Sequence, residues 1–146
     1  MKTLQAGMLM SLLMLLQGCT PPSAELAFGQ DACAHCKMKL MDPHFGAVMV
    51  TDKGRVFKFD DLNCMFRFSD EFEGEITSEF DFRTVDYEHP GKLIDARSAF
   101  YLKSEQLHTP MDGEVAAFSN QKSFQAAKKK FPGVYLVWGE LTTQHK

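Results

Sequence analysis

The sequence predicts an α+β fold built from two small ββαβ-type units with antiparallel sheets, and three observations carry that expectation. Residues 45–51 and 55–59 are rich in Val, Phe and Met, and Asp52-Lys53-Gly54 between them is hairpin turn chemistry. Consecutive strands joined by so short a turn pair antiparallel. Leu62, Met65 and Phe66 then recur at i, i+3, i+4, the spacing of the buried face of a short helix. The second half repeats the order strand, strand, helix, strand without evident sequence identity to the first, which favours segregated helices over a parallel βαβ array.

Each element has its own signal. Asp60 stands where a helix N-cap is expected. Residues 76–87 alternate in part, through Phe80, Phe82 and Val85, and read as a strand. His89-Pro90-Gly91 breaks the pattern and opens the second unit. Residues 93–95 and 99–102 read as short strands, 104–113 as a loop and 115–118 as another strand. Ser119 is placed to cap a helix over 121–131, with Phe124, Ala127 and Phe131 on one face. Pro132-Gly133 stops that helix, and 134–141 returns as a strand carrying Trp138.

The first residues read as an address. Lys2 is followed by an apolar run over 6–16, too short to cross a bilayer, which takes roughly 20 apolar residues, and suited to a signal segment. Leu16-Gln17-Gly18-Cys19 resembles the bacterial lipobox, with Gln17 where a smaller residue is more usual. That resemblance implies cleavage before Cys19 and acylation there, and several chains at about 0.8 kcal/mol per buried methylene hold a protein stably on a membrane. The expected organisation is a signal peptide over 1–18 and a tether over 19–30 containing Pro21, Pro22, Ser23 and Gly29. A first unit over 31–88 and a second over 89–146 follow. The expected location is the periplasmic side of a membrane in a bacterial cell envelope. Sixteen Lys and Arg stand against 19 Asp and Glu, for a net charge of −3. The triplet Lys128-Lys129-Lys130 reads as a solvated helix face, so nucleic-acid binding has no electrostatic support.

With Cys19 acylated, Cys33, Cys36 and Cys64 remain of the four cysteines. An odd number of thiols is a poor basis for a disulfide scaffold. The densest chemistry is Cys33-Ala34-His35-Cys36-Lys37-Met38, with Met41 and His44 just beyond. Two thiols separated by two residues can curl around one ion, and a thioether two positions later can complete a three-coordinate shell. Such soft donors select Cu(I), and the thioether has no proton to lose first.

Rival readings stand beside that one. Attachment of a c-type haem needs His after the second Cys, and Lys37 is there instead. A thiol-disulfide oxidoreductase would use Cys33 as nucleophile and Cys36 as resolving thiol, but its motif opens a long helix, which Pro43 interrupts here. A zinc site would draw its other ligands from Cys64, His44, His89 or His108, with no second closely spaced pair to supply them. A structural Cys33–Cys36 disulfide leaves Met38 without a role. Cys64, beside Met65 on an apolar helix, reads as a small core hydrophobe, and Met49 and Met65 read as core. Met111 follows Pro110 in a loop where an apolar side chain has little reason to be. It is a candidate ligand from the second unit, the alternative being that it packs down onto the fold, and His108 three residues earlier offers an imidazole.

Taken together, these segments resemble the NosL family, the accessory lipoproteins of nitrous-oxide reductase. The resemblance rests on the lipobox, the tether, Cys33-x-x-Cys36-x-Met38 and the stretch 55–68 (RVFKFDDLNCMFRF). In the second half it rests on Asp86-Tyr87, 93–101 (LIDARSAFY), Thr109-Pro110-Met111 and 115–119 (VAAFS). It implies two ββαβ-type units and no enzymatic activity. It also implies Cu(I) held by Cys and Met, with His a further donor, and delivered to a recipient cuproenzyme or a copper-handling assembly factor. Cys33, Cys36, Met38 and Met111 are the expected metal ligands. Lys37 and Asp112 each stand where the family usually has Gly, which bears on the turn of the first loop and on the approach of Met111. Members also occur away from nitrous-oxide reductase, so the resemblance defines the metal more closely than the recipient.

Overall fold

The computed structural model describes residues 23–144. The expected signal peptide, Cys19 and the start of the tether lie outside the described residues. The elements are β1 (Ala47–Val50), β2 (Val56–Phe59), α1 (Leu62–Asp70), β3 (Asp81–Val85) and β4 (Leu93–Asp95). There follow β5 (Phe100–Lys103), β6 (Val115–Phe118), α2 (Gln121–Lys130), β7 (Val134–Leu136) and α3 (Trp138–Gln144). One antiparallel sheet has the order β2-β1-β3-β4 and the other β6-β5-β7. This is the α+β class with two antiparallel sheets that the sequence predicts.

The first hairpin pairs Ala47 with Phe59 and Val50 with Val56. Its turn is closed by Thr51 N–H donating to Arg55 O at 2.9 Å, and Gly54 takes φ 76°, a conformation glycine adopts without a Cβ penalty. Four local differences from the sequence reading have physical reasons. Asp61, not Asp60, caps α1, accepting the Cys64 amide on Oδ1 at 2.9 Å. Asn120, not Ser119, caps α2, because the Ser119 hydroxyl donates to Asp86 Oδ2 at 2.6 Å instead. His89-Pro90-Gly91 is a turn within the first sheet: the Asp86 amide donates to Lys92 O at 2.8 Å and β4 folds back onto β3. Trp138 opens α3 rather than extending β7, which ends at Leu136.

The two sheets share a core. Met49, Phe59 and Phe82 from the first and Met65 from α1 pack with Tyr101, Ala117 and Leu136 from the second. Trp138 lies at the seam, its ring 5.4 Å from those of Phe66 and Phe82 and 6.4 Å from Tyr101, contacts worth about 0.5–1.5 kcal/mol each beyond area burial. A smaller cluster of Leu102, Leu107, Phe118 and Phe124 lies between the second sheet and α2. The expected tether is docked over part of its length. Leu26 and Phe28 pack against the larger core, and the Gly29 amide donates to Leu40 O at 2.7 Å. No helix among the described residues is long and apolar enough to cross a membrane.

Candidate metal centre

Residues 32–39 form a tight knuckle. Ala32 and Lys39 make an antiparallel bridge at its base. Inside it the Cys33 amide donates to Met38 O at 2.8 Å and the Lys37 amide to Cys33 O at 3.1 Å. The Ala34 amide donates to Lys58 O at 2.7 Å, so the knuckle lies against β2. Closing so short a loop puts Lys37 at φ 65°. An L-residue pays about 1–2 kcal/mol there. Lys37→Gly is therefore expected to raise stability by on the order of 0.5–1 kcal/mol, the relief being partly offset by the freer unfolded chain. A lower melting temperature for Lys37→Gly than for wild type would contradict the left-handed placement. Asp112, the second departure, also lies at positive φ, 53°, which Asp tolerates better than most residues.

The knuckle brings Cys33 and Cys36 to the end of β2 and the first turn of α1. There the sulfurs of Cys33, Cys36 and Cys64 and a carboxylate oxygen of Asp60 all lie within 4.8 Å of one another. Cys33 and Cys64 are 1% and 0% exposed, and Cys36 is half-buried at the rim. All three described cysteines are free thiols. The Cys36 thiol donates to Asp60 Oδ2 at 3.5 Å. Asp60 is 2% exposed and its Oδ1 accepts no hydrogen bond.

The environments push the thiols apart in acidity. A hydrogen bond from Cys64 draws the Cys33 thiol down to about 6, against the opposing effect of burial and with help from the amides of Asp60, Cys36 and His35. Cys64, on the donating side of that bond and buried, is pushed up. Burial also raises Cys36. The cluster thus presents a ready thiolate at neutral pH beside two thiols that must lose a proton to ligate.

The structure brings Cys33 and Cys36 together, as the sequence expects. Met38 follows them on the knuckle with its side chain 55% exposed, and Met41 is exposed beyond it. Met111 is half-buried against the larger core. Its amide donates to Asp61 Oδ2 at 3.0 Å and its carbonyl accepts from Asn63 Nδ2 at 2.7 Å. These bonds tie the second-sheet loop to the start of α1, within three residues of Cys64. His108 is exposed, and His44 and His89 are engaged by Asp42 and Asp86 at 3.0 and 2.8 Å. The sequence marks Asp60 as a helix cap and not as a ligand, and it reads Cys64 as core, with ligation only under the zinc alternative. Cys64 is fully buried and also belongs to the cluster. The available signal was the i, i+4 spacing of Asp60 and Cys64 across a helix start, which places both near one end.

Three thiols and a carboxylate gathered by a knuckle and a helix start, on an α+β frame, define a domain with a sulfur-rich cluster able to hold a metal ion. The family model for NosL matches residues 26–145, and the chain belongs to the NosL family. The crystal structure of the copper chaperone NosL from Shewanella denitrificans superposes on it with a TM-score of 0.64 at 18% sequence identity. The match covers 85% of this chain and 94% of that one. At that identity the likeness speaks to the fold. Among curated proteins no match is found.

Proposed function

We propose that the protein is a cell-envelope lipoprotein, acylated at Cys19, that carries Cu(I) and passes it to a recipient cuproenzyme or assembly factor. Its ligands are drawn from Cys33, Cys36, Met38 and Met111. The carrying observation is the knuckle itself. It holds two thiols of unequal acidity, Cys33 buried in the sulfur cluster and Cys36 at its rim, with an exposed thioether two residues on. Family membership supports the reading, as does the superposable protein being a copper chaperone. The proposed recipient is nitrous-oxide reductase during its maturation.

Copper(I) is cargo, and the site's geometry suits exchange. A cation content with two or three soft ligands leaves room for a recipient's sulfur or imidazole to enter before the donor releases it. Half-buried Cys36 and exposed Met38 give that entry side, while buried Cys33 holds the ion from beneath. The tether sets the reach: with Leu26 docked, residues 20–25 span at most about 20 Å from the acylated cysteine.

The test is Cu(I) binding by the reduced mature chain under anaerobic conditions, read by native mass spectrometry and by competition with a colorimetric Cu(I) chelator. One ion per chain is expected, with Met38→Leu weakening it about tenfold or more, roughly 1.4 kcal/mol. Stoichiometric binding indifferent to Met38→Leu would remove Met38 from the shell, and no Cu(I) binding at all would end the proposal.

A further inference from the structure

The copper set makes no use of Asp60 or Cys64, yet both are placed as ligands are. A carboxylate this deeply buried is costly unless a cation or donors satisfy it, and Asp60 Oδ1 has no donor. We propose that Cys33, Cys36, Cys64 and Asp60 form a closed, tetrahedral site of three sulfurs and one oxygen for a zinc-class divalent cation. With metal–sulfur bonds of about 2.3 Å and metal–oxygen bonds of about 2.0–2.2 Å, such a tetrahedron has edges of roughly 3.5–3.8 Å. The four donors lie within 4.8 Å of one another, so a contraction of about 1 Å closes the shell.

Charge and hardness select the ion. Three thiolates and a carboxylate around a divalent cation carry the same net charge as an ordinary four-cysteine zinc site. Around Cu(I) they would carry one negative charge more, in a buried position, and a soft monovalent ion has little use for a carboxylate oxygen. The positions are rigid: two ligands sit on a hydrogen-bonded knuckle, one at the end of β2 and one in the first turn of α1. His35, the imidazole within the knuckle, faces Glu71 at 3.6 Å instead.

Because Cys33 and Cys36 belong to both sets, a chain holding zinc in the cage cannot hold Cu(I) at the rim. Zinc would also keep the thiols from oxidising to a disulfide until copper arrives. The cage does not depend on the copper reading, and one experiment separates them. The full mature chain, reduced and anaerobic, is titrated with Co(II) alone, Zn(II) alone and Cu(I) alone. Co(II) is expected to bind one to one with the intense visible bands and sulfur-to-metal charge transfer of a tetrahedral thiolate site, and Zn(II) to bleach them. The near-isosteric Asp60→Asn, checked for native circular dichroism, should weaken Zn(II) by about 10–100-fold, and Cys64→Ser should do so at least as strongly. Weak octahedral Co(II) absorption would overturn the cage, as would binding indifferent to both substitutions. Cu(I) binding in a preparation that takes no Co(II) or Zn(II) would sink the cage alone. Zn(II) binding without Cu(I) would sink the copper reading and leave the cage.

Discussion

Replacing Cys36 by alanine is expected to lower Cu(I) affinity by about 100-fold or more, roughly 3 kcal/mol. It should also flatten the pH dependence of loading. Cys36 is the rim thiol, with its sulfur beside Asp60 Oδ2 at 3.5 Å, and burial raises its pKa. A thiol raised in this way holds its proton through neutral pH, so the metal must displace that proton to ligate. Affinity in the wild type should therefore climb with pH, by up to about tenfold per unit, until Cys36 ionises on its own. Cys33 behaves oppositely. Drawn down to about 6, it is already a thiolate at pH 7, and its contribution falls away only as pH drops through that value. Cys36→Ala removes the thiol that ionises late and keeps the one that ionises early. Competition titrations between pH 6 and pH 8 read both effects. A Cys36→Ala variant with wild-type affinity and slope would remove Cys36 from the shell.

What was legible in the sequence was whatever a local pattern encodes. The turn at Asp52-Lys53-Gly54, β6 at Val115–Phe118 and the helical face of Leu62, Met65 and Phe66 follow from period and turn chemistry. They appear as predicted. The choice between adjacent candidates did not follow, because distant partners made it. Asp60 and Asp61 are equally good caps on paper. Asp61 takes the role because its second oxygen also meets Thr109 and Met111, 48 and 50 residues away, while Asp60 is turned into the sulfur cluster. Ser119 yields its cap to Asn120 for the same kind of reason, a buried acceptor in Asp86.

The site shows the same division. Cys-x-x-Cys is a local signal and the thiol pair was visible in it. The third thiol comes from a helix 28 residues beyond Cys36, and an apolar helix face looks the same whether its cysteine packs or ligates. The two departures from the family pattern, Lys37 and Asp112, gain meaning only with the backbone known. Both occupy positive φ, where a residue with a Cβ costs local strain that a glycine would not.

The largest stability effect outside the cluster is expected at Asp61. This 2%-exposed carboxylate accepts the Cys64 amide at 2.9 Å, the Thr109 hydroxyl at 3.1 Å and the Met111 amide at 3.0 Å. It therefore caps the helix that carries Cys64 and staples the Met111 loop of the second sheet to the first. Asp61→Ala removes a cap worth about 0.5–2 kcal/mol and leaves two further donors without an acceptor, each costing about 1–3 kcal/mol where water cannot reach. The sum is about 2.5–8 kcal/mol, a large fraction of the roughly 5–15 kcal/mol that holds a domain folded. Burial raises the Asp61 pKa despite the amides that oppose it. Its stabilising effect is thus fullest below the unfolded carboxyl value and declines as pH rises through the folded one. The gap between wild type and Asp61→Ala should accordingly be widest in acid and narrower at neutrality. Asp61→Asn keeps one accepting oxygen for the Cys64 amide and should cost about half as much. Urea unfolding of the three proteins at two pH values measures this, and Cu(I) competition on the same samples tests whether anchoring the Met111 loop matters for copper binding. A loss below about 1 kcal/mol for Asp61→Ala would mean that the two sheets are held in register by their shared apolar core alone.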